Sequence, residues 1–333
     1  MSIQRSGNRR NGLSNPTRTE AIGSIQRGLS FALLFVALVF SPHSSAETVH
    51  LVVSDPSHYY REVAEAIAHH LRNQHPHVNL TRLAADNPPA LDIGREDLLV
   101  SIGTRAAEAV IADYGDNPHL SLFITRSAWN RIRDGANSTA SRAVIFIDQP
   151  LNRSLALAEI FTGKQRFSAV LGPVSAARKA ELLSAADVAG IALRYDLIAT
   201  TSNPLKVLSP LFDDSDAFIA IPDQGAINRN TARWALHLGF KKKIPVIGFS
   251  RAYTEAGAAA SIYTAPGDIA RQGIDWLETY LANSNAAIWQ PYSPRYFSVA
   301  VNTSVASVLG LFVDDEAEIR ERVQQRLEGG TLP

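Results

Sequence analysis

At 333 residues with 46% hydrophobic side chains, the chain is long enough for one large or two medium globular domains. Its formal net charge is zero, which argues against a nucleic-acid binder, since such a protein carries a basic excess. It has no cysteine, so disulfides, thiolate metal sites, cysteine nucleophiles and a lipid-anchored N-terminal cysteine are excluded.

Residues 1–46 read as an export signal. Arg5, Arg9, Arg10, Arg18 and Arg27 precede the apolar run LSFALLFVALVF at 29–40. SPHSSA follows, with small residues Ser44 and Ala46 at the positions a signal peptidase reads. The run is about 12 residues, short of the ~20 needed to span a bilayer. Cleavage is expected after Ala46, with the product in the periplasm. The removed piece carries five Arg and one Glu, which leaves the rest of the chain at a net charge of −4.

From residue 49 strands and helices alternate. Strands are expected at 49–54, 78–84, 97–103, 120–126 and 142–148, with helices at 59–74 and 104–114. The helix at 59–74 carries an apolar stripe at 59, 63, 66, 67 and 71. This βαβαβ pattern predicts a parallel sheet covered by helices. Near Gln149-Pro150 the pattern restarts, with helices at 151–163, 175–190 and 225–240 and strands at 167–172, 191–200, 216–223 and 244–250. The last stretch holds a helix at 267–283, a strand at 295–302 and helices at 303–311 and 315–328. Two Rossmann-like α/β lobes with parallel sheets account for two such blocks better than one oversized sheet. The expected first lobe is 47–148 plus about 254–285, and the second 149–253 plus about 286–333.

No G-x-S-x-G elbow, H-E-x-x-H, phosphate loop or G-x-G-x-x-G appears, so neither catalysis nor a cofactor is expected. HHLRNQHPH offers His69, His70, His75 and His77. His69 and His70 point about 100° apart on a helix, and a solvated helix terminus, where imidazolium suits the dipole, is the reading preferred over a metal site. What remains is a set of polar residues at strand ends: Ser54, Asp55 and His58; Gly103 and Thr104; Thr125 and Arg126; Gly172; Thr200 and Thr201; Asp223 and Gln224; Ser250. Each alone reads as a helix cap or a turn. Together they fall where a cleft between two lobes would lie.

DAFIAIPDQGAINRN, then KKKIPVIGFSRAYTEAGAAASIYTAPGDIARQGIDWLETYLA, sets out a Pro-Asp strand end, an I-P-V strand and an E-A-G-A stretch in an order that resembles the substrate-binding proteins of one class of ABC transporters. YFSVAVNTSVASVLGL resembles its near-terminal strand, Asn and A-x-x-L-G-L helix. LLVSIGTRAAEAV resembles its I-G-T-x-A-A turn, and DQPLNRSLALAEIF its crossing into the second lobe. The resemblance covers most of 97–312.

The resemblance implies the type I periplasmic binding protein architecture, a class that includes aromatic amino acid binders. It implies a monomer that closes on a small ligand and hands it to an ABC permease, without enzymatic activity. Gly103 and Thr104 would hold a ligand carboxylate, and Asp223 would face its ammonium group. Tyr59, Tyr60 or Tyr253 would stack on its side chain. Arg105 stands where the family has Pro or a small residue, and would narrow the pocket or add a charge to it. Alternative readings are a sensor docking on a signalling receptor, a ligand-free partner-binding protein and an exported α/β hydrolase.

Overall fold

The computed structural model describes residues 48–86, 93–134, 141–223, 225–311 and 314–329. The expected export signal and its cleavage point at Ala46 lie outside the described residues. No helix among the described residues is long and apolar enough to cross a membrane.

The first lobe begins with β1 (Thr48–Val53), α1 (His58–Gln74), β2 (Asn79–Ala84), β3 (Leu98–Ile102), α2 (Thr104–Asp113), β4 (His119–Ile124), α3 (Arg126–Asp134) and β5 (Arg142–Phe146). The second holds α4 (Leu151–Thr162), β6 (Arg166–Leu171), α5 (Lys179–Ala189), β7 (Ala192–Leu197), α6 (Pro204–Leu211), β8 (Ala217–Ile219), α7 (Arg229–Lys242), β9 (Val246–Gly248), α8 (Arg251–Glu255) and β10 (Ala260–Tyr263). The chain then returns to the first lobe for α9 (Pro266–Ala282) and β11 (Pro291–Tyr292), and ends in the second with β12 (Ser298–Val301), α10 (Thr303–Val308) and α11 (Glu316–Leu327).

Two six-stranded sheets result, ordered β11-β5-β4-β3-β1-β2 and β12-β10-β9-β8-β6-β7. Every pairing is parallel except that of β12 with β10. Central strands are buried on both faces, as helix-covered parallel sheets require, and all five residues of β3 are buried. The edge strand β7 is largely exposed. On one face of the first sheet, α1 buries Val63, Ala64, Ile67, Ala68 and Leu71, and α9 packs beside it through Ile269, Trp276, Leu277 and Tyr280.

The structure differs from the sequence expectation in several places. It adds α3, α6 and α8. Strand β8 stops at Ile219. Helix α7 starts only at Arg229, because the Asn228 side chain accepts from the N–H groups of Asn230 and Thr231 and so caps that helix. The lobe boundaries also move. Strand β10 belongs to the second sheet and β11 to the first, so the returning segment runs from α9 to β11 rather than over about 254–285.

Candidate functional site

Both sheets reverse their winding at the same place. The chain passes from β1 to β2 on one side and then to β3 on the other, and β6, β7 and β8 repeat the move. Such a reversal opens a crevice at the C-terminal ends of the two strands astride it. Ser54 follows β1, Gly103 follows β3, Gly172 follows β6, and Asp223 lies just beyond β8. Four of the sequence candidates therefore mark the two crevices.

In the first crevice Gly103 is the N-cap of α2, with φ +93°, and it offers no side chain to cap the helix. The buried Ser54 hydroxyl does so instead, accepting from the Ala106 N–H at 2.9 Å. A Cβ on Gly103 would stand 2.5 Å from Ser54 Oγ and 2.8 Å from Cε1 and Cζ of Tyr60. Conformation and space both demand glycine here. Among the described residues nothing accepts from the N–H groups of Thr104 and Arg105. These two donors point out of the positive end of the helix dipole, which favours an anion.

An aromatic wall stands beside this seat. The Tyr60 ring meets Phe123 edge-on, with centroids 5.5 Å apart. Phe123 has φ +58° and sits at a register break between Leu122 and Ile124. Left-handed backbone at an aromatic residue stores strain of about 1–3 kcal/mol, and such outliers concentrate at functional sites. Burial pushes the Tyr60 phenol up, the Asp55 charge adds to this, and Arg105 opposes it.

The neighbouring candidates lie at the rim. Arg105 is exposed and forms ion pairs with Asp55 and Asp86, both at 3.3 Å, so its charge is already matched. Asp55 also accepts from the Ser57 N–H at 2.8 Å, and this bond, with help from Arg105, holds its carboxyl below the usual range against a smaller burial effect. His58 is exposed and pairs with Glu62 at 3.6 Å. Tyr59 is 59% exposed, so Tyr60 rather than Tyr59 is the ring that faces the Gly103 turn. Thr125 caps α3 by accepting from the Ala128 N–H at 3.2 Å, and the Arg126 N–H donates to Asp148 at 2.7 Å. The Arg126 guanidinium lies over the Phe146 ring, 4.5 Å from its centroid.

The second crevice is already filled. Asp223 is buried, and its Oδ2 accepts from Val174 N at 3.0 Å and from Ser175 N and Oγ at 2.6 and 2.8 Å. Its Oδ1 accepts from Gly225 N at 2.8 Å and Ala226 N at 3.2 Å. Burial alone would raise this carboxyl, but the bonds from Ser175, Gly225 and Ala226 outweigh it and the net direction is down. A Cβ on Gly172 would lie 2.7 Å from Asp223 Oδ2, so glycine lets the carboxylate reach these amides. The carboxylate expected to meet a ligand ammonium is thus committed to the protein's own donors.

The remaining second-lobe candidates lie in a turn, at a helix cap and in the core. Thr200 and Thr201 are exposed, in the turn closed by the Ser202 N–H to Ala199 O bond at 2.9 Å. Ser250 caps α8, accepting from the Tyr253 N–H at 3.1 Å. Tyr253 is buried in the core under α6 and α7, stacked on Phe249 with centroids 5.2 Å apart, and burial drives its phenol up. Gln224 lies outside the described residues.

A hinge joins the lobes, and it was not anticipated residue by residue. Thr264, just past β10, donates to Ile147 O at 2.9 Å and accepts from Gln149 Nε2 at 2.6 Å, just past β5. The C-terminal edges of the two sheets therefore adjoin. Arg153 donates to Gln149 Oε1 at 2.6 Å, Pro294 O at 2.9 Å and Arg295 O at 3.1 Å. Burial brings the Arg153 guanidinium down to about 10, against the pull of Asp268. Gln272 fixes the third crossing, donating to Ser293 O at 3.1 Å and accepting from the Arg295 N–H at 2.7 Å. Three crossings are thus tied side by side between the two lobes.

No family model matches the sequence, and no curated protein matches it. Solved structures do. The ligand-free, open structure of CD0873, a substrate binding protein with adhesive properties from Clostridium difficile, aligns with a TM-score of 0.61 at 13% identity, over 81% of this chain and 96% of that one. An ABC domain in complex with L-Trp from Streptococcus pneumonia aligns with a TM-score of 0.52 at 15% identity, over 83% of this chain and 98% of that one. At such identities the likeness shows the fold: α/β, two lobes of mostly parallel sheet, consistent with the type I periplasmic binding protein architecture.

Proposed function

We propose that the protein is an exported solute-binding protein that captures a small carboxylate, an amino acid above all, in the cleft between its lobes and presents it to an ABC permease. One observation carries the reading: of two matching crevices, one holds its own anion and the other leaves two helix N-terminal donors open. Asp223 fills the second-lobe crevice with five hydrogen bonds. The first-lobe crevice offers Thr104 N–H and Arg105 N–H beside the Tyr60 ring. A ligand carboxylate suits the donors, and an apolar or aromatic side chain suits the ring.

The hinge supplies the other requirement, since ligand contacts on both lobes favour the closed arrangement only if the lobes can pivot. Two solved structures of like fold support the reading: one is named a substrate binding protein and is open and ligand-free, and the other is an ABC domain in complex with L-Trp. The site works by binding alone, in the periplasm, on a monomer. A thermal melt of the purified protein against amino acids, short peptides, nucleosides and sugars tests this. A ligand at 100 times its dissociation constant adds about 2.7 kcal/mol, a shift of several degrees for an amino acid. No shift across the amino acids would overturn the reading.

A further inference from the structure

The sequence places four histidines at the end of α1, and the structure brings a carboxylate to two of them. His70 lies in the last turns of α1, and His75 is its C-cap, fixed by its own N–H donating to Leu71 O at 2.8 Å. Glu278 projects from α9, 208 residues from His70 in sequence. The Nε2 atoms of His70 and His75 both converge on Glu278 Oε1, at 2.5 and 2.8 Å. The three ligand-capable atoms lie within 4.8 Å of one another, and all three residues are partly buried. His69 takes no part: it is exposed and bonds Asn73 at 3.0 Å.

We propose that His70, His75 and Glu278 form a site for a transition-metal dication of the zinc type. Two imidazole nitrogens and one carboxylate oxygen are a donor set that such ions favour and that magnesium and calcium do not. Around a tetrahedral zinc with ligand bonds of about 2.0–2.2 Å, donor atoms sit about 3.3 Å apart. Glu278 Oε1 lies closer than that to both nitrogens and would move outward to admit the ion, which its 44% exposed side chain allows. The three protein ligands leave the fourth position to water. His77 borders the cluster, with its ring centroid 5.8 Å from that of His75.

The placement gives the ion a role. α1 and α9 are packed side by side on the first sheet, and α9 is the first element after the chain returns from the second lobe. An ion bound here ties the returning segment to the start of the lobe. It lies on the helical face of the lobe and belongs to neither crevice.

The test is equilibrium dialysis of the full protein against zinc, with metal content read by elemental analysis. One zinc per chain is expected, with affinity at least tenfold weaker in H70Q, H75Q and E278Q and unchanged in H69Q. Magnesium in large excess should not compete. Cobalt in place of zinc should give the visible absorption of tetrahedral coordination, lost in H70Q. Far-ultraviolet circular dichroism of each metal-free variant guards against misfolding, and H70Q alone suffices if E278Q unfolds. No stoichiometric zinc, or binding that H69Q weakens as much as H70Q, would overturn the site.

Discussion

The backbone N–H and the hydroxyl of Ser175 both donate to one oxygen of Asp223, at 2.6 and 2.8 Å. With Val174, Gly225 and Ala226 they make the carboxylate an internal anion that clamps the turn after β6 to the turn after β8. Asp223→Asn sets an amide NH2 against those donors. Loss of about 2–4 kcal/mol is expected, since buried donors lose a charged acceptor. Chemical denaturation measures it. Once corrected for folding, ligands of every charge should be affected alike. A selective loss of cationic ligands would return Asp223 to the binding site.

Glycine at 103 is enforced twice, by φ +93° and by the 2.5 Å approach to Ser54 Oγ. Gly103→Ala should destabilise by more than about 2 kcal/mol. Ser54→Ala removes a cap from α2 and should cost about 1 kcal/mol. Denaturant midpoints of the two variants check both magnitudes.

The seat is built from backbone donors, so the side chain of Thr104 matters less than its N–H. Thr104→Ala should leave ligand affinity within about threefold. Thr104→Pro places proline at the first helical position, where it is tolerated, yet deletes one donor. Affinity should fall at least tenfold, on the order of a charged hydrogen bond. Titration calorimetry separates the two, and equal affinity for both variants would remove the N–H from the site.

His119 is buried at the start of β4, its Nε2 within 2.7 Å of Ser101 Oγ and 3.2 Å of Ser121 Oγ. Burial, with a smaller push from Arg142, brings it down to about 3. The folded imidazole thus stays neutral while the unfolded one protonates near 6.5. Between these values the unfolded chain binds the extra proton, so this contribution to stability is full above about 6.5 and is lost as pH falls toward 3. Wild-type stability should drop relative to His119→Gln by up to about 1.4 kcal/mol per pH unit over that window. Denaturation curves across the range test it.

The architecture was legible because apolar runs and helical stripes alternate along the whole chain, and the order of strand-end residues pointed to the crevices. Side-chain direction was less legible. The stripe through 59, 63, 66, 67 and 71 put Tyr59 inward, but α1 buries 63, 64, 67, 68 and 71, a rotation that turns Tyr60 toward the seat and leaves Tyr59 exposed. Helix α6 opens with an Asn-Pro cap signal, yet Pro210 within it masks the helical pattern. Asp223 could not be assigned from sequence because its donors at 174 and 175 lie some 48 residues away, across a sheet reversal. The partnership of Glu278 with His70 was hidden by a still longer separation.

The central claim is that a ligand carboxylate sits on the open helix terminus of the first lobe. The direct measurement is a pair of calorimetric titrations, with the amino acid that gives the largest thermal shift and with its neutral carboxamide. The carboxamide should bind at least tenfold more weakly, as about 1.5–3 kcal/mol of charged hydrogen bonding is lost. Equal affinities would contradict the claim and place the ligand's recognition elsewhere in the cleft.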